Sequence, residues 1–468
     1  MLVSKKKKMK KRLFTIAILT ASILSLNISC SDDFVDREFY QEVEQQPLTT
    51  YNEIQSFVRG AYSQMRSSKY YGCDFLAYGE IRSDEMYSNK ASGYYTTIQD
   101  YTMLSTDAYS RDTWGVIYKM IATTNIAINA DVAKFTGSET EKNQSYFVQG
   151  QAYALRALGF FDVLRLYGQE YSGGTDKLGA VIPVVYDPKV KMARATISET
   201  ETQIEADFDK ALELMKAYSS YSTVSGKTDL SLIAVKALMS RYYLYKGDYA
   251  KVRTLVDEIV AANSYSIAAQ GLLAETFKFT MNGAAPNSIF ELAVGTNSSL
   301  STSSYRHKLH PNGYGNLVVN DKTLASYSTS DIRKSLVRTA NGYNYLTGKY
   351  TNSVGADNIK IVRYEEVILN GIEAELNGGS STKALNYYNS LITQRGLSAV
   401  TTVDLSILKS ERTKELLGEG FRQWDLLRWG DKSFVPTGKS ESLLAFPIPR
   451  IETDLDGTLI KSNPGYDN

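Results

Sequence analysis

Glu411-Arg412-Thr413-Lys414-Glu415-Leu416-Leu417-Gly418-Glu419-Gly420-Phe421-Arg422-Gln423-Trp424-Asp425-Leu426-Leu427-Arg428-Trp429-Gly430 sets aromatic and charged residues side by side at helical spacing. Leu416, Gly420, Trp424 and Leu427 recur every three or four positions. Glu411, Glu419, Arg422, Asp425 and Arg428 stand between them, available for ion pairing. A stripe of this kind predicts a helix over 404–428 whose charges fix its neighbours. Trp424 and Trp429 therefore read as packing residues, and so do Trp114, Arg165 and Tyr167 farther up the chain.

Outward from this stretch the helical pattern continues. Thr50-x-x-Glu53, Ser138-x-x-Glu141 and Ser198-x-x-Glu201 are capping boxes that open helices. Apolar periodicity predicts helices over 49–66, 108–133, 140–167, 199–218, 230–246, 248–262, 362–377 and 380–395. In the third of these, Phe147, Gly150, Ala154, Ala157, Leu158 and Phe161 form a stripe whose small members admit a close neighbour. Arg241 to Ala250 is a helix end, a one-glycine turn at Gly247 and a new helix, and 362–395 repeats the layout around Asn377-Gly378-Gly379. Such units are similar to tetratricopeptide repeats, with plain antiparallel helix pairs as the alternative. Two regions, 67–107 and 263–361, break the pattern and are rich in Gly, Ser, Asn, Thr and Tyr. They predict irregular loops with short strands such as Ile289–Val294, and loops this long in a globular chain commonly carry function.

The N-terminus reads as an address. Seven basic residues between Lys5 and Arg12 precede an apolar run from Leu13 to Leu26, too short to span a bilayer. Ser29-Cys30 follows, the place where a bacterial lipoprotein is cleaved and its cysteine lipidated. Residues 1–29 are thus a predicted leader, 30–47 a polar tether and 48–468 one domain. Without those seven cations the 468-residue chain has 45 basic against 51 acidic residues, a net charge of −6. That balance speaks against a nucleic-acid partner and against adhesion to an anionic membrane by charge alone. Cys73 is the other cysteine, so no disulfide framework is expected, and it reads as a small buried hydrophobe. The 34 tyrosines against 16 phenylalanines suit helix interfaces and binding surfaces alike.

The residue patterns of catalysis are missing. His307 and His310 lack companion ligands in sequence, so no metal is expected. Gly226-Lys227-Thr228 and Gly438-Lys439-Ser440 lack the earlier glycine of a phosphate loop and read as exposed turns. Glu452-x-Asp454-x-Asp456-Gly457 has the spacing of half a calcium loop, but Asn463 stands where its closing acid belongs; a hairpin turn is expected instead. Glu365-Glu366 and Glu373-x-Glu375 are the acid pairs a glycosidase would need, yet on one helix they read as a solvated face. Neither a catalytic residue nor a cofactor is expected.

Three segments, in order, resemble the SusD/RagB nutrient-binding lipoproteins of Bacteroidetes: Ala154 to Gly168, Glu411 to Gly430, and Phe446-Pro447-Ile448-Pro449 followed by Asn463-Pro464-Gly465-Tyr466. Gly79 to Glu85 and Trp114 to Asn125 are weaker matches between the same ends, and Ser31-Asp32-Asp33 resembles the export tag of surface lipoproteins. The resemblance implies a mostly α, tetratricopeptide-like scaffold carrying a loop-built ligand face. It implies lipid anchoring through Cys30 in the outer membrane and a SusC-like, TonB-dependent barrel as partner. It also implies that oligosaccharide, or in some branches peptide, is captured and handed to that barrel. A sugar-binding face needs flat rings against the apolar face of the sugar and polar groups for its hydroxyls. From the two loop regions, Tyr94, Tyr95, Tyr305 and Tyr314 are the expected rings, with Arg82, Asn89, Arg306 and Asn312 as their polar partners. The alternatives are a helical-repeat scaffold for another surface protein without a small ligand, and a glycan-degrading enzyme.

Overall fold

In the computed structural model, Thr50 and Glu53 close the first cap reciprocally: the Thr50 hydroxyl accepts from Glu53 N, and the Glu53 carboxylate accepts from Thr50 N. The structure describes residues 46–187 and 189–466. The predicted leader, Cys30 and the tether up to residue 45 lie outside them, and the residues from Leu48 on form one compact unit.

The capped helix is α1, Tyr51–Met65. Asp74–Ile81 (α2) follows, buried along its whole length, and leads into β1, Met86–Ser88. Ala108–Ile128 (α3) is capped by Asp107. Glu139–Tyr167 (α4) is opened by the Ser138/Glu141 box and packs between two partners. Its small stripe is what lets them approach. A Cβ on Gly159 would meet Met120 of α3 at 2.8 Å, and one on Gly150 would meet Met215 at 2.6 Å. Met215 belongs to α5, Ile197–Ala217, reached through the antiparallel pair β2, Leu178–Val181, and β3, Arg194–Thr196. The α5 cap differs from the expected one: Thr196 and Glu199 form the box, not Ser198 and Glu201. Glu201 is instead buried and accepts from Ser172 Oγ at 2.6 Å and Gly173 N at 3.2 Å.

Leu232–Lys246 (α6) turns through Gly247, whose φ of +77° is left-handed backbone that favours glycine, into α7, Tyr249–Ala261. After β4, Ser288–Leu292, the chain makes a short helix α8, Tyr305–Leu309, then β5, Leu317–Val319, β6, Val337–Ala340, β7, Tyr343–Leu346, and β8, Ile359–Arg363. The predicted pair of 362–395 is found as α9, Tyr364–Leu376, and α10, Ser381–Thr393. The chain is thus mostly α, a tetratricopeptide-like stack of helical pairs carrying two small sheets built from its former loop regions. The order β1-β5-β7-β6 makes a four-stranded antiparallel sheet, and β4 pairs with β8.

The helix expected over 404–428 is broken. It is α11, Leu405–Leu416, and α12, Arg422–Arg428, with Gly418 and Gly420 between them at φ of +77° and +80°. Gly420 also approaches α2, where a Cβ would meet Leu76 Cα at 3.0 Å, so the break seats the signature segment against that helix. The half calcium loop is a turn, with Thr458 N donating to Leu455 O at 2.9 Å, but no strands flank it. The Lys191 ammonium donates to the Asp456 carbonyl, the wrong sign of partner for a cation site.

The acid pairs are not a solvated face. Glu365, Glu366, Glu373 and Glu375 are all buried, because α9 is enclosed on every side. Each carboxylate has a cation. Glu366 accepts from Arg241 Nε at 2.6 Å, Glu373 from Arg428, and Glu375 pairs with Lys383 at 3.0 Å. Glu365 joins a larger buried cluster in which Arg333, Arg363 and Arg395 share Glu415 at 2.8–3.1 Å. Glu411, Asp331 and Glu419 supply further acids to Arg333 and Arg363. Buried charge persists in a protein only when paired in this way.

Candidate ligand site

The register of β1 on β5 brings the two loop regions together. Ser88 pairs with Leu317, so the chain leaving β1 and the chain entering β5 emerge at the same end of the sheet. Asn89 clamps them, its N donating to Asn316 O and its Nδ2 to Gly315 O, both at 2.9 Å. Tyr94 and Tyr314 meet beyond this clamp, with ring centroids 4.7 Å apart and planes inclined at 53°. Tyr314 is held by its N donating to His307 O at 2.8 Å, and Gly313 passes the same carbonyl too closely for any Cβ.

Two residues of α8 complete the group. Lys308 Nζ lies 3.2 Å from the centroid of the Tyr94 ring and 4.2 Å from that of Tyr314, a cation–π arrangement on both. His307 stands edge-on to Tyr314 at 4.7 Å. Lys308 is almost fully buried and its pKa is lowered, chiefly by that burial. Burial, then Lys308 and Arg306, also lower His307, which is therefore neutral at pH 7. The hydrogen bond with Tyr314, followed by partial burial, pushes the Tyr94 hydroxyl up to about 12, so it stays protonated and able to donate. Tyr314 keeps 38% of its surface exposed, Tyr94 and Asn89 are half-buried and Asn312 is exposed. The group is a ring pair partly open to solvent with a cation held against it, and Asn312 is exposed two residues before Tyr314. Such a surface takes the apolar face of a flat ring and hydrogen-bonds the groups at that ring's edge.

The other expected residues lie underneath. Tyr95 is fully buried, with its hydroxyl donating to Asp74 Oδ1 at 2.8 Å and standing 3.3 Å from Cys73 Sγ. Its ring lies 6.1 Å from that of Tyr94, on the inner side of it. Tyr305 is buried edge-on against Tyr350 at 5.5 Å. Arg82 is buried beneath Tyr101 and Phe446 and donates to Leu443 O; Arg306 is buried as well. All four are buried and offer no surface to a ligand. Lys308 went unrecognised in sequence because only the fold carries it beneath Tyr94. His307 drew notice only as a metal ligand, yet it and His310 do not converge: His310 is buried and its pKa is lowered to about 4, mainly by that burial. Among the described residues no group of three His, Cys, Asp or Glu side chains could hold a metal, and no helix is long and apolar enough to cross a membrane.

Comparison with known proteins finds two family models in this chain. One, described as starch-binding and associating with the outer membrane, matches residues 33–244; the other, described as the SusD family, matches residues 320–445. A SusD-like protein of Formosa agariphila is 22% identical over 482 aligned positions, covering 89% of this chain and 90% of its own. Among solved structures, a SusD superfamily protein of Bacteroides thetaiotaomicron superposes with a TM-score of 0.78 at 24% identity, over 89% of this chain and all of its own. A laminarin-binding SusD-like protein superposes with a TM-score of 0.71 at 20% identity, over 90% of this chain and all of its own.

Proposed function

Since the chain belongs to the SusD family, we propose that it is a surface lipoprotein that captures oligosaccharide on the Tyr94–Tyr314 face and passes it to a SusC-like, TonB-dependent outer-membrane barrel. The observation that carries the sugar is the ring pair itself. Tyr94 and Tyr314, with Lys308 held against them and Asn312 exposed nearby, fit the amphipathic ring of a sugar better than an extended peptide, which would need an unpaired strand edge. Outer-membrane association is the description of the matching family model, and lipid on Cys30 supplies an anchor for a chain whose described helices do not span a bilayer. The reading is of binding rather than turnover: the acid pairs that resemble glycosidase carboxylates are each neutralised by a buried or partly buried cation.

Each ring is expected to matter separately. Tyr314→Ala and Tyr94→Ala each remove one stacking surface, expected to weaken glycan binding about tenfold, roughly 1.4 kcal/mol. Titration calorimetry of each variant against the glycan that the wild-type protein binds reads the change. Unchanged affinity in both variants would refute the face. For the barrel, affinity purification of the lipidated chain from native outer membrane is expected to bring down a TonB-dependent transporter in stoichiometric amount, and its absence would leave capture without delivery.

A further inference from the structure

We propose a second, enclosed carbohydrate site at the ends of α4, α6 and α12, which takes the end of a glycan chain and is separate from the Tyr94–Tyr314 face. A cleft of about 440 Å³ opens there, walled by four chain segments: 168–172 after α4, the last turn of α6, α12, and residues 441–445. That volume lies within the ~300–1,000 Å³ of ordinary ligand pockets and suits one or two sugar units.

The walls carry ring surfaces. Tyr171 lies over Tyr245 with centroids 4.2 Å apart and its hydroxyl donates to the Tyr245 carbonyl. Trp424 lines the floor beside Arg165, whose guanidinium sits 5.4 Å from the indole and 4.3 Å from Phe161. The floor is also short of acceptors. Arg165 gives one nitrogen to Asp162, but its Nε, like Trp424 Nε1, is buried without a hydrogen-bond partner among the described residues. Both donors stand beneath the lining of the cleft, out of reach of solvent, and unpaired buried donors of this kind are uncommon in a folded protein. Charge narrows the ligand class. Asp162 neutralises Arg165, and at the rim Lys432 pairs with Glu441 at 2.5 Å and Glu170 with Lys177 at 4.0 Å, so no net charge is left to select an ion. Ring faces and a neutral lining fit a neutral polyhydroxylated ring. Walls from four segments admit the terminus of a chain rather than its middle. The choice of sugar as the class rests on the function proposed above; the cleft and its donors do not.

The test uses the full chain in detergent with ¹⁵N-tryptophan. Its three tryptophans give three indole signals, and Trp424→Phe assigns the one of interest. Titration with maltose, cellobiose and laminaribiose is expected to move the Trp424 signal saturably with at least one of them. The movement is expected to persist in the Tyr94→Ala/Tyr314→Ala double variant and to need at least tenfold more sugar in Tyr171→Ala. A Trp424 signal that stays still with all three disaccharides overturns the site, as does a shift that vanishes in the double variant. Calorimetry with longer oligosaccharides separates the two claims. If these bind while Trp424 stays still, only the cleft falls; if neither responds, the carbohydrate reading falls with it.

Discussion

Glu415→Ala is expected to cost about 3 kcal/mol of stability, seen as a lower urea midpoint with an unchanged denaturant slope. The carboxylate is buried and is shared by Arg333, Arg363 and Arg395 at 2.8–3.1 Å. Removing it leaves three guanidinium groups with fewer anions in a site from which water is excluded. Asp331, Glu411, Glu365 and Glu419 still pair with parts of the cluster, which sets the effect at the lower end of the 3–5 kcal/mol typical of breaking a buried pair. The same geometry fixes a pH dependence. The three arginines overcome the effect of burial and hold the Glu415 pKa far below the usual carboxylate range. The stabilisation is therefore complete above the unfolded pKa of about 4.5 and is lost as pH falls below it. Lys210→Ala makes the contrast: its bond to Glu213 is shorter, 2.6 Å, but both side chains are exposed, and the expected change is within about 0.5 kcal/mol. Equal losses in the two variants would contradict this account of the core.

Glu80→Gln is expected to do the opposite at high pH. Glu80 lies in α2 and accepts from Gly420 N at 2.6 Å, while its second oxygen is buried without a partner among the described residues. Burial outweighs the amides of Gly420 and Gly418 and raises its pKa to about 7. Glu85 nearby is raised as well, by burial first and then by Glu80 itself. A carboxyl whose folded pKa exceeds its unfolded one favours the fold below about 4.5 and loses that contribution as pH rises to about 7. At pH ~8 the ionised wild type then carries a cost of about 3 kcal/mol that the amide escapes, while Gln keeps an oxygen for Gly420. The variant is expected to match or exceed the wild type in urea at that pH, by up to about 3 kcal/mol, and to flatten the slope of stability between pH ~5 and ~7. A variant that is less stable than the wild type at high pH would show that Glu80 is stabilising as a carboxylate.

The long helices were legible because their apolar residues recur at a fixed period and their caps are local. Predicted helices 140–167 and 248–262 are found at Glu139–Tyr167 and Tyr249–Ala261. Where burial is total, the period disappears. Asp74–Ile81 went unseen inside a supposed loop because it has no polar face, and the α9 acids were misread because every side of that helix is enclosed. The 404–428 stripe hid its break because the apolar spacing continues through Gly418 and Gly420, whose backbone conformation no spacing records. At the candidate site, composition singled out two loop regions that the fold brings together but could not sort inner from outer residues. Tyr94 and Tyr314 meet only through the Ser88–Leu317 register, and Tyr95 is carried inward by left-handed backbone at φ +61° that no spacing records.

The most direct measurement is titration calorimetry of the intact protein against a panel of oligosaccharides and peptides, with the ligand recovered and sized afterwards. The expected result is saturable binding of one oligosaccharide class at micromolar to millimolar affinity, with no cleavage of the ligand, and with the contribution of the Tyr94–Tyr314 face lost in the Tyr94→Ala/Tyr314→Ala variant, which keeps only what the cleft binds. Binding of peptides alone, cleavage of the glycan, or full affinity in the double variant would contradict the account.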